Sequence, residues 1–230
     1  MKYLLVTVGL AGVVLSCNDD NEPSELPAGM IDEEFVVSIL SQDEPDLASV
    51  RREGVTVTET PVINIEDGRE IGKSFLVRHR HGLLTVFKSD DLPTDHAITM
   101  WWVMFNRPEN CETDCGLGDL STADVEADVL YADGQVISAS GSAVFVAHIR
   151  EDDLSGSVAK FLWDGPAIGL KDVHAAEIHM VLRTHGPVIP DLAYEMTHTF
   201  NGGCGGFPPE AGAPGPNVCM DIQFAVHQAM

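Results

Sequence analysis

Three histidines lie close together in one short stretch of the chain, His174, His179 and His185. If residues 176–185 form a β-strand, their side chains alternate between its two faces. One face then carries Glu177, His179, Val181, Arg183 and His185, while Ile178, Met180 and Leu182 point into the core. Imidazoles on such a face could bind a transition metal with help from a neighbouring strand. The same residues, with His174, could form a small-ligand or glycan site, or simply a solvated strand face.

A second group of residues that could bind an ion is acidic. It consists of Glu109, Glu112, Asp114, Asp119, Asp124, Glu126 and Asp128. Calcium needs several oxygen ligands that converge on one point, and the spacing of these residues matches no EF-hand loop. The patch therefore predicts either a diffuse charged loop or one bound Ca²⁺.

The sequence contains no motif that is specific for catalysis. A Ser/His/Asp elbow, a Walker loop and a dinucleotide fingerprint are all missing. The leading prediction is thus a non-catalytic binding or structural role. The alternative is a metal-dependent enzyme or a metal-binding protein that uses Zn or Cu on the His179/His185 strand.

Other basic residues are given structural interpretations. His198, on the predicted strand with Met196, and His148 are expected in or near the core as hydrogen-bonded structural histidines. The sequence from Arg78 to His81 is the only basic cluster, and we interpret it as a strand end that pairs with neighbouring carboxylates. A contact with an anion or a partner is the alternative for this cluster.

The N-terminus has the form of an export signal. Lys2 precedes an apolar stretch from Tyr3 to Leu15, which is too short for a transmembrane helix. The stretch ends in Val14-Leu15-Ser16-Cys17, which resembles the lipobox of bacterial lipoproteins. The resemblance implies a signal peptide over residues 1–16, lipid on Cys17, and an anchor in the cell envelope, at the outer membrane.

The cysteine count agrees with a lipid-modified Cys17. The chain has 5 cysteines, and assigning Cys17 to a lipid leaves an even set. Disulfides are expected in an exported protein. Sequence proximity favours the pairs Cys111–Cys115 and Cys204–Cys219, although four cysteines allow three pairings.

The charge of the chain limits its partners. It has 13 Lys and Arg against 36 Asp and Glu, a net charge of -23 over 230 residues. Such a balance argues against nucleic-acid binding, which needs a basic patch. It also argues against electrostatic attraction to anionic lipid. The expected partners are the membrane, through the lipid anchor, and a glycan, a small ligand or another protein.

Residues 17–49 form an acidic, proline-containing segment that we interpret as a tether between membrane and domain. It contains one apolar run, Phe35 to Leu40, which is either a first strand or a segment that docks on the domain.

Residues 50–230 have the pattern of an all-β domain, an antiparallel β-sandwich or jelly roll. Alternating or short apolar runs recur between turn residues. Ala97–Phe105 is apolar on both faces, which predicts a fully buried central strand. Asp133-Gly134 predicts a hairpin turn. The other predicted strands are Val55–Thr58, Leu83–Phe87, Val129–Ala132, Val136–Ile137, Ala143–Ile149, Val158–Trp163, Ala176–His185, Tyr194–Phe200 and Ile222–His227.

Three segments of this domain carry a resemblance. They read DHAITMWWVMFNRPENC, HAAEIHMVLRTHGP and FNGGC, and together they resemble a group of secreted bacterial proteins. HAAEIHMVLRTHGPV also resembles the chordin-type CHRD domain, an extracellular all-β module, although Glu177-Ile178-His179 stands where that module has His-x-His. The second resemblance implies an extracellular β fold, and neither resemblance indicates a particular activity.

Overall fold

The computed structural model describes residues 55–230. The predicted signal peptide, the predicted lipid attachment at Cys17, the predicted tether and the apolar run at residues 35–40 lie outside the described residues. Among residues 55–230, no helix is both long and apolar enough to cross a bilayer.

Eight antiparallel strands form one sheet with the order β5-β4-β7-β8-β1-β2-β3-β6. The strands are β1 (Val55–Asn64), β2 (Glu70–His79), β3 (Gly82–Ser89), β4 (His96–Phe105), β5 (Ala127–Val136), β6 (Ala143–Arg150), β7 (Glu177–Pro187) and β8 (Met220–His227). The predicted all-β, antiparallel class is confirmed.

The sheet is rolled into a flattened and nearly closed barrel. Its two four-stranded halves, β5-β4-β7-β8 and β1-β2-β3-β6, are joined at β8 and β1 by only two residue pairs, Ile63 with Phe224 and Asn64 with Gln223. The edge strands β5 and β6 approach each other at the opposite side. There the Gln135 amide donates to Val144 O at 3.0 Å, and Val146 N donates to the Asp133 carboxylate at 3.2 Å. Side chains thus bridge the edges where backbone pairing is missing.

One apolar core fills the space between the two halves. Inward-pointing residues of both halves contribute to it, including Leu76, Phe87, Met100, Trp102 and Met180. β4 is buried on both faces, because Trp102 packs inward while Trp101 packs outward, at 1% and 2% exposure. The prediction of a central strand that is buried on both faces is confirmed.

A second layer covers the outer face of β4, β5 and β7. It consists of the loop at residues 106–126, the short helix α1 (Ala159–Trp163) and the segment around Phe200. Cys111 and Cys115 belong to this layer, and their disulfide joins Cα atoms 5.2 Å apart. The disulfide Cys204–Cys219 closes the loop after the second helix, α2 (Ala193–His198). Both predicted disulfides are confirmed.

The predicted hairpin at Asp133-Gly134 is wrong. β5 continues through these residues and pairs with β4, with an irregularity in register opposite Met100 and Trp101. Gly134 is required for packing and not for a turn. An added Cβ would lie 2.0 Å from the carbonyl oxygen of Thr197 in α2, so the glycine allows this helix to pack closely against the strand.

Two predicted strands are short helices. Val158–Trp163 contains α1, which ends where Asp164 adopts a left-handed conformation. Tyr194–Phe200 contains α2, which follows a 3₁₀ turn that begins at Pro190. Helices of five or six residues are too short to show the 3.6-residue period, so their apolar residues mimic strand alternation.

His198 is exposed on α2, so its predicted place in the core is wrong. Its ring stacks on Tyr194, with centroids 4.2 Å apart.

The sequence does not predict β2. The inward face of this strand carries the polar Ser74 and Arg78, both at 0% exposure, and these two residues hide the alternation of apolar and polar side chains.

Candidate functional site

A cavity of about 300 Å³ lies within the layer that covers β4, β5 and β7. Its lining comes from several separate segments of the chain. The lining residues are Trp101, Val103, Leu117, Leu120, Ser121, Val129, Leu162, Trp163, Val181, Phe200 and Asp221. Most of this surface is aliphatic or aromatic. A concave apolar site with a few polar groups is the usual form of a small-molecule pocket.

Trp101 forms part of the floor and is held by a hydrogen-bonded chain. Its indole N–H donates to Thr99 Oγ1 at 2.7 Å, and that hydroxyl lies 2.8 Å from His185 Nε2. His185 Nδ1 lies 2.9 Å from Gly202 O. Burial lowers the pKa of His185 to about 4, so its ring is neutral at pH 7 and holds one proton. That proton is on Nδ1, because a carbonyl only accepts, and Nε2 accepts from Thr99.

Arg183 holds Phe200, which forms the wall of the cavity beside Trp101. Its guanidinium donates to Phe200 O at 3.0 Å and to the Asp221 carboxylate at 2.8 Å. It also lies over the Phe200 ring, 4.3 Å from the centroid. Phe200 in turn packs edge-on against Trp101 at 5.1 Å. The ion pair and the cation–π contact therefore position an aromatic wall.

Trp163 lines another side of the cavity, and the position of its indole ring depends on the glycine at residue 165. Its ring folds back over Gly165, where an added Cβ would lie 2.2 Å from Nε1. Only a glycine leaves this space for the indole. The exposed Leu117 lies at the mouth of the cavity.

The chemistry of the pocket favours binding over bond-breaking. Asp221 is the only ionisable side chain among the lining residues, and it is paired with Arg183. A nucleophile with an adjacent base, which covalent catalysis requires, is missing from this lining. The carboxylate and the net charge of -23 disfavour an anionic ligand.

The predicted register of β7 is correct, but its outer face is covered rather than solvated. Ile178, Met180 and Leu182 are in the core. Glu177, Arg183 and His185 are 5%, 7% and 0% exposed, respectively, because the outer layer packs on them.

The structure does not bring the proposed metal ligands of β7 together. His179 and His185 are six residues apart on one strand, which corresponds to about 20 Å. His179 pairs instead with Glu177 at 2.7 Å, and both nitrogens of His185 are engaged. His174 is exposed in the turn before the strand. Val181 is the residue of this face that reaches the cavity.

The acidic residues of the 106–128 region also do not converge. Asp119 accepts from the backbone of Gly116, Glu126 pairs with Arg107, and Asp128 is fully buried. Asp128 accepts hydrogen bonds from Ser157, Ile168 and Gly169. Each carboxylate shown here has its own structural partner, and the geometry gives no basis for a Ca²⁺ site.

One group of three metal-binding residue types does lie close together within residues 55–230. It consists of His185, Cys204 and Cys219, whose donor atoms are all within 4.8 Å of one another. The two sulfurs are bonded to each other in a disulfide, and His185 is hydrogen-bonded to Gly202. The group therefore holds the loop against β7.

Sequence reasoning missed most of the pocket. Leu162 and Trp163 fall in a segment that the sequence predicts as a strand, and for residues 106–126 the sequence predicts a disulfide and an acidic patch but no pocket. The one usable signal is the adjacent pair Trp101-Trp102, because neighbouring residues of a strand point to opposite faces and one of the two indoles must therefore lie outside the core.

Fold and site together define an all-β protein with a nearly closed antiparallel barrel and an apolar pocket outside it. No family model, no curated protein and no solved structure matches the chain. The functional assignment therefore depends on the pocket itself.

Proposed function

We propose that this protein is a lipid-anchored binding protein of the cell envelope, without catalytic activity. Its ligand is a small molecule with an apolar or aromatic body that is neutral or cationic. The observation that carries the proposal is the cavity of about 300 Å³ walled by Trp101, Trp163 and Phe200. Its volume corresponds to the low end of ligand pockets, enough for one or two fused rings.

The export part of the proposal is supported by the cysteines. Four of the five are paired in two disulfides, which leaves Cys17 of the lipobox-like sequence for a lipid. Disulfides are typical of exported proteins. A lipid at Cys17 would place the domain at the membrane surface, where apolar small molecules partition.

The pocket is tested with three naphthalene probes on the full-length chain: naphthalene, a naphthylmethylammonium and a naphthalenesulfonate. Binding is followed by quenching of tryptophan fluorescence, since Trp101 and Trp163 line the cavity. We expect saturable binding of the neutral and cationic probes and at least tenfold weaker binding of the sulfonate. Trp163→Ala should weaken binding at least tenfold, because it removes one wall.

The control is Tyr194→Ala, which removes an aromatic ring that is 69% exposed and outside the cavity. It should leave binding unchanged. Failure of all three probes to bind, or equal binding by Trp163→Ala and the parent chain, would overturn the proposed pocket. The anchor is tested separately: Cys17→Ser should move the protein from the membrane to the soluble fraction, and retention of the lipid would contradict that part.

A further inference from the structure

The outer face of β1, β2 and β3 carries a continuous apolar patch. We call it the outer patch, and its members are Phe75, Val77, Leu84 and Val86, with Val55 and Val57 packed against them. Phe75 lies opposite Val86 in the pairing register, and Val77 lies opposite Leu84. The residues that alternate with them along β2 and β3 point into the barrel, so the outer patch faces away from the barrel core.

The outer patch is almost fully buried, although it lies on the outside of the sheet. Phe75, Val77, Leu84 and Val86 are 1%, 0%, 2% and 0% exposed. Val146 of the next strand, β6, is paired with Val86 and lies on the same face, yet it is 36% exposed. A sheet surface alone therefore leaves a valine partly exposed here, and the outer patch needs a further layer above it.

Residues 55–230 contribute no apolar residue of another layer to this cluster. All six members of the outer patch belong to β1, β2 and β3. The cluster on the other half of the sheet differs, because it includes residues of the 106–126 loop, of α1 and of the segment around Phe200. The layer above the outer patch must come from the chain before residue 55 or from a second molecule.

The chain before β1 contains a segment of matching chemistry. Residues 35–40 read FVVSIL, and 5 of these 6 residues are apolar. Acidic residues lie on both sides, with Asp32, Glu33 and Glu34 before the run and Asp43 and Glu44 after it. Leaving such a run in water is unfavourable, so an apolar surface of the same chain would stabilise it.

The rim of the outer patch carries the opposite charge. Lys73, Lys88 and Arg150 lie on its face of the sheet by strand alternation. The Lys88 Nζ is 5.9 Å from the centroid of the Phe75 ring, and Lys73 pairs with Glu59 at 3.0 Å. In a chain with only 13 Lys and Arg and a net charge of -23, three cations around one apolar patch favour an occupant with acidic flanks.

We propose that residues 35–40 of the same chain pack on the outer patch and cover it. Residues 41–54 connect this run to β1, which begins within the patch at Val55. Such a connection spans up to about 50 Å when extended, whereas a strand of this sheet is at most about 36 Å long. The run can therefore reach every part of the outer patch. The proposal depends neither on a lipid at Cys17 nor on the apolar pocket.

The first test measures how fast an introduced thiol reacts with a maleimide in the full-length chain carrying Cys17→Ser. Val86→Cys places this thiol in the outer patch. We expect slow reaction, and at least tenfold faster reaction after Phe35→Asp with Ile39→Asp, because charged side chains would displace the run from the patch. An equal rate with and without the two aspartates would overturn the proposal.

Two other thiols and a second pair of aspartates serve as controls. Val144→Cys, 43% exposed on the same face, should react quickly in both chains, and Ala225→Cys, 1% exposed in the barrel core, should react slowly in both. Leu26→Asp with Met30→Asp adds the same charges outside the run and should leave Val86→Cys protected. Equal loss of protection with this pair would contradict the assignment to residues 35–40.

The second test leaves the apolar character of the run intact. The photoreactive residue p-benzoylphenylalanine is placed at Ile39, and cross-linked peptides are identified by mass spectrometry after irradiation. We expect links to β1, β2 or β3 within a chain of monomeric mass. Links between two chains, links to the other strands only, or no links to the sheet would each overturn the proposal.

Discussion

Arg78 is a fully buried cation whose hydrogen bonds go to backbone carbonyl groups, while the Asp172 carboxylate acts on it only through space. Its guanidinium donates to the backbone oxygens of Val173, Ala176 and Gln228, and more weakly to that of His227. Burial lowers its pKa to about 10, so it remains charged at pH 7. One side chain of β2 thus ties together the turn before β7 and the end of the chain.

Replacing Arg78 with Met is expected to destabilise the fold by about 3 kcal/mol or more, since several buried carbonyls lose their donor. Arg78→Lys should also destabilise it, because an ammonium cannot reproduce the planar fork of donors. The measurement is urea unfolding followed by circular dichroism.

The matched control is Arg80→Met, two residues along, where the side chain is exposed. This change should alter the free energy of unfolding by less than about 0.5 kcal/mol. If Arg78→Met were as stable as the parent, the buried guanidinium would contribute nothing net, as some buried ions do.

At the scale of elements, Gly134 determines how closely α2 approaches β5. Its missing side chain leaves space for Thr197 O, which also accepts from the hydroxyl of Tyr131 at 2.8 Å. Gly134→Ala is expected to destabilise the protein by about 1 to 3 kcal/mol, because a backbone atom must move to make room. Thermal unfolding of the variant measures the loss.

Gly118→Ala is the comparison for this substitution, since a Cβ there would have no atom within 4 Å. It should leave the unfolding temperature within about 2 °C of the parent value. A similar unfolding temperature for both variants would mean that α2 can move away from β5 at no cost.

Elements with a clear pattern were predictable from the sequence, and those decided by tertiary contacts were not. β4 was recognised because both of its faces are apolar, and β7 because Ile178, Met180 and Leu182 fix its register. The residue types of Asp133-Gly134 predict a turn, but in the structure both residues lie within β5. Gly134 is needed there because α2 packs against it, and residue type alone does not show that packing. The pocket was not predictable, because its lining residues lie far apart in the sequence and meet only in the folded chain.

At the scale of the whole molecule, buried neutral histidines make stability depend on pH. Burial lowers the pKa of His227 to about 3 and that of His185 to about 4, against an ordinary value of 6.5. Below pH 6.5 the unfolded chain takes up protons that the folded chain cannot. The contribution of these two histidines to the free energy of unfolding is therefore fully present above about pH 6.5, and it decreases as the pH falls toward 4.

We expect the free energy of unfolding to fall between pH 7 and pH 5 by about 2 kcal/mol for each of these two imidazoles. Urea unfolding in the presence of a metal chelator measures this slope. His227→Gln should unfold more easily at pH 7 yet show a smaller decrease between pH 7 and pH 5. A free energy that does not change over this range would contradict the assigned neutral state.

The position of β8 within the sheet has a consequence for biosynthesis. β8 follows the other seven strands of the sheet in sequence, yet it lies in the middle of the sheet, between β7 and β1. The barrel therefore cannot be completed until β8 itself has been synthesised and is free to pair. Until the final eight-residue strand arrives, β1 and β7 expose unpaired edges that can recruit other strands. A chain cut short before Met220 would keep those edges, so premature termination would yield a product prone to aggregate rather than a smaller domain.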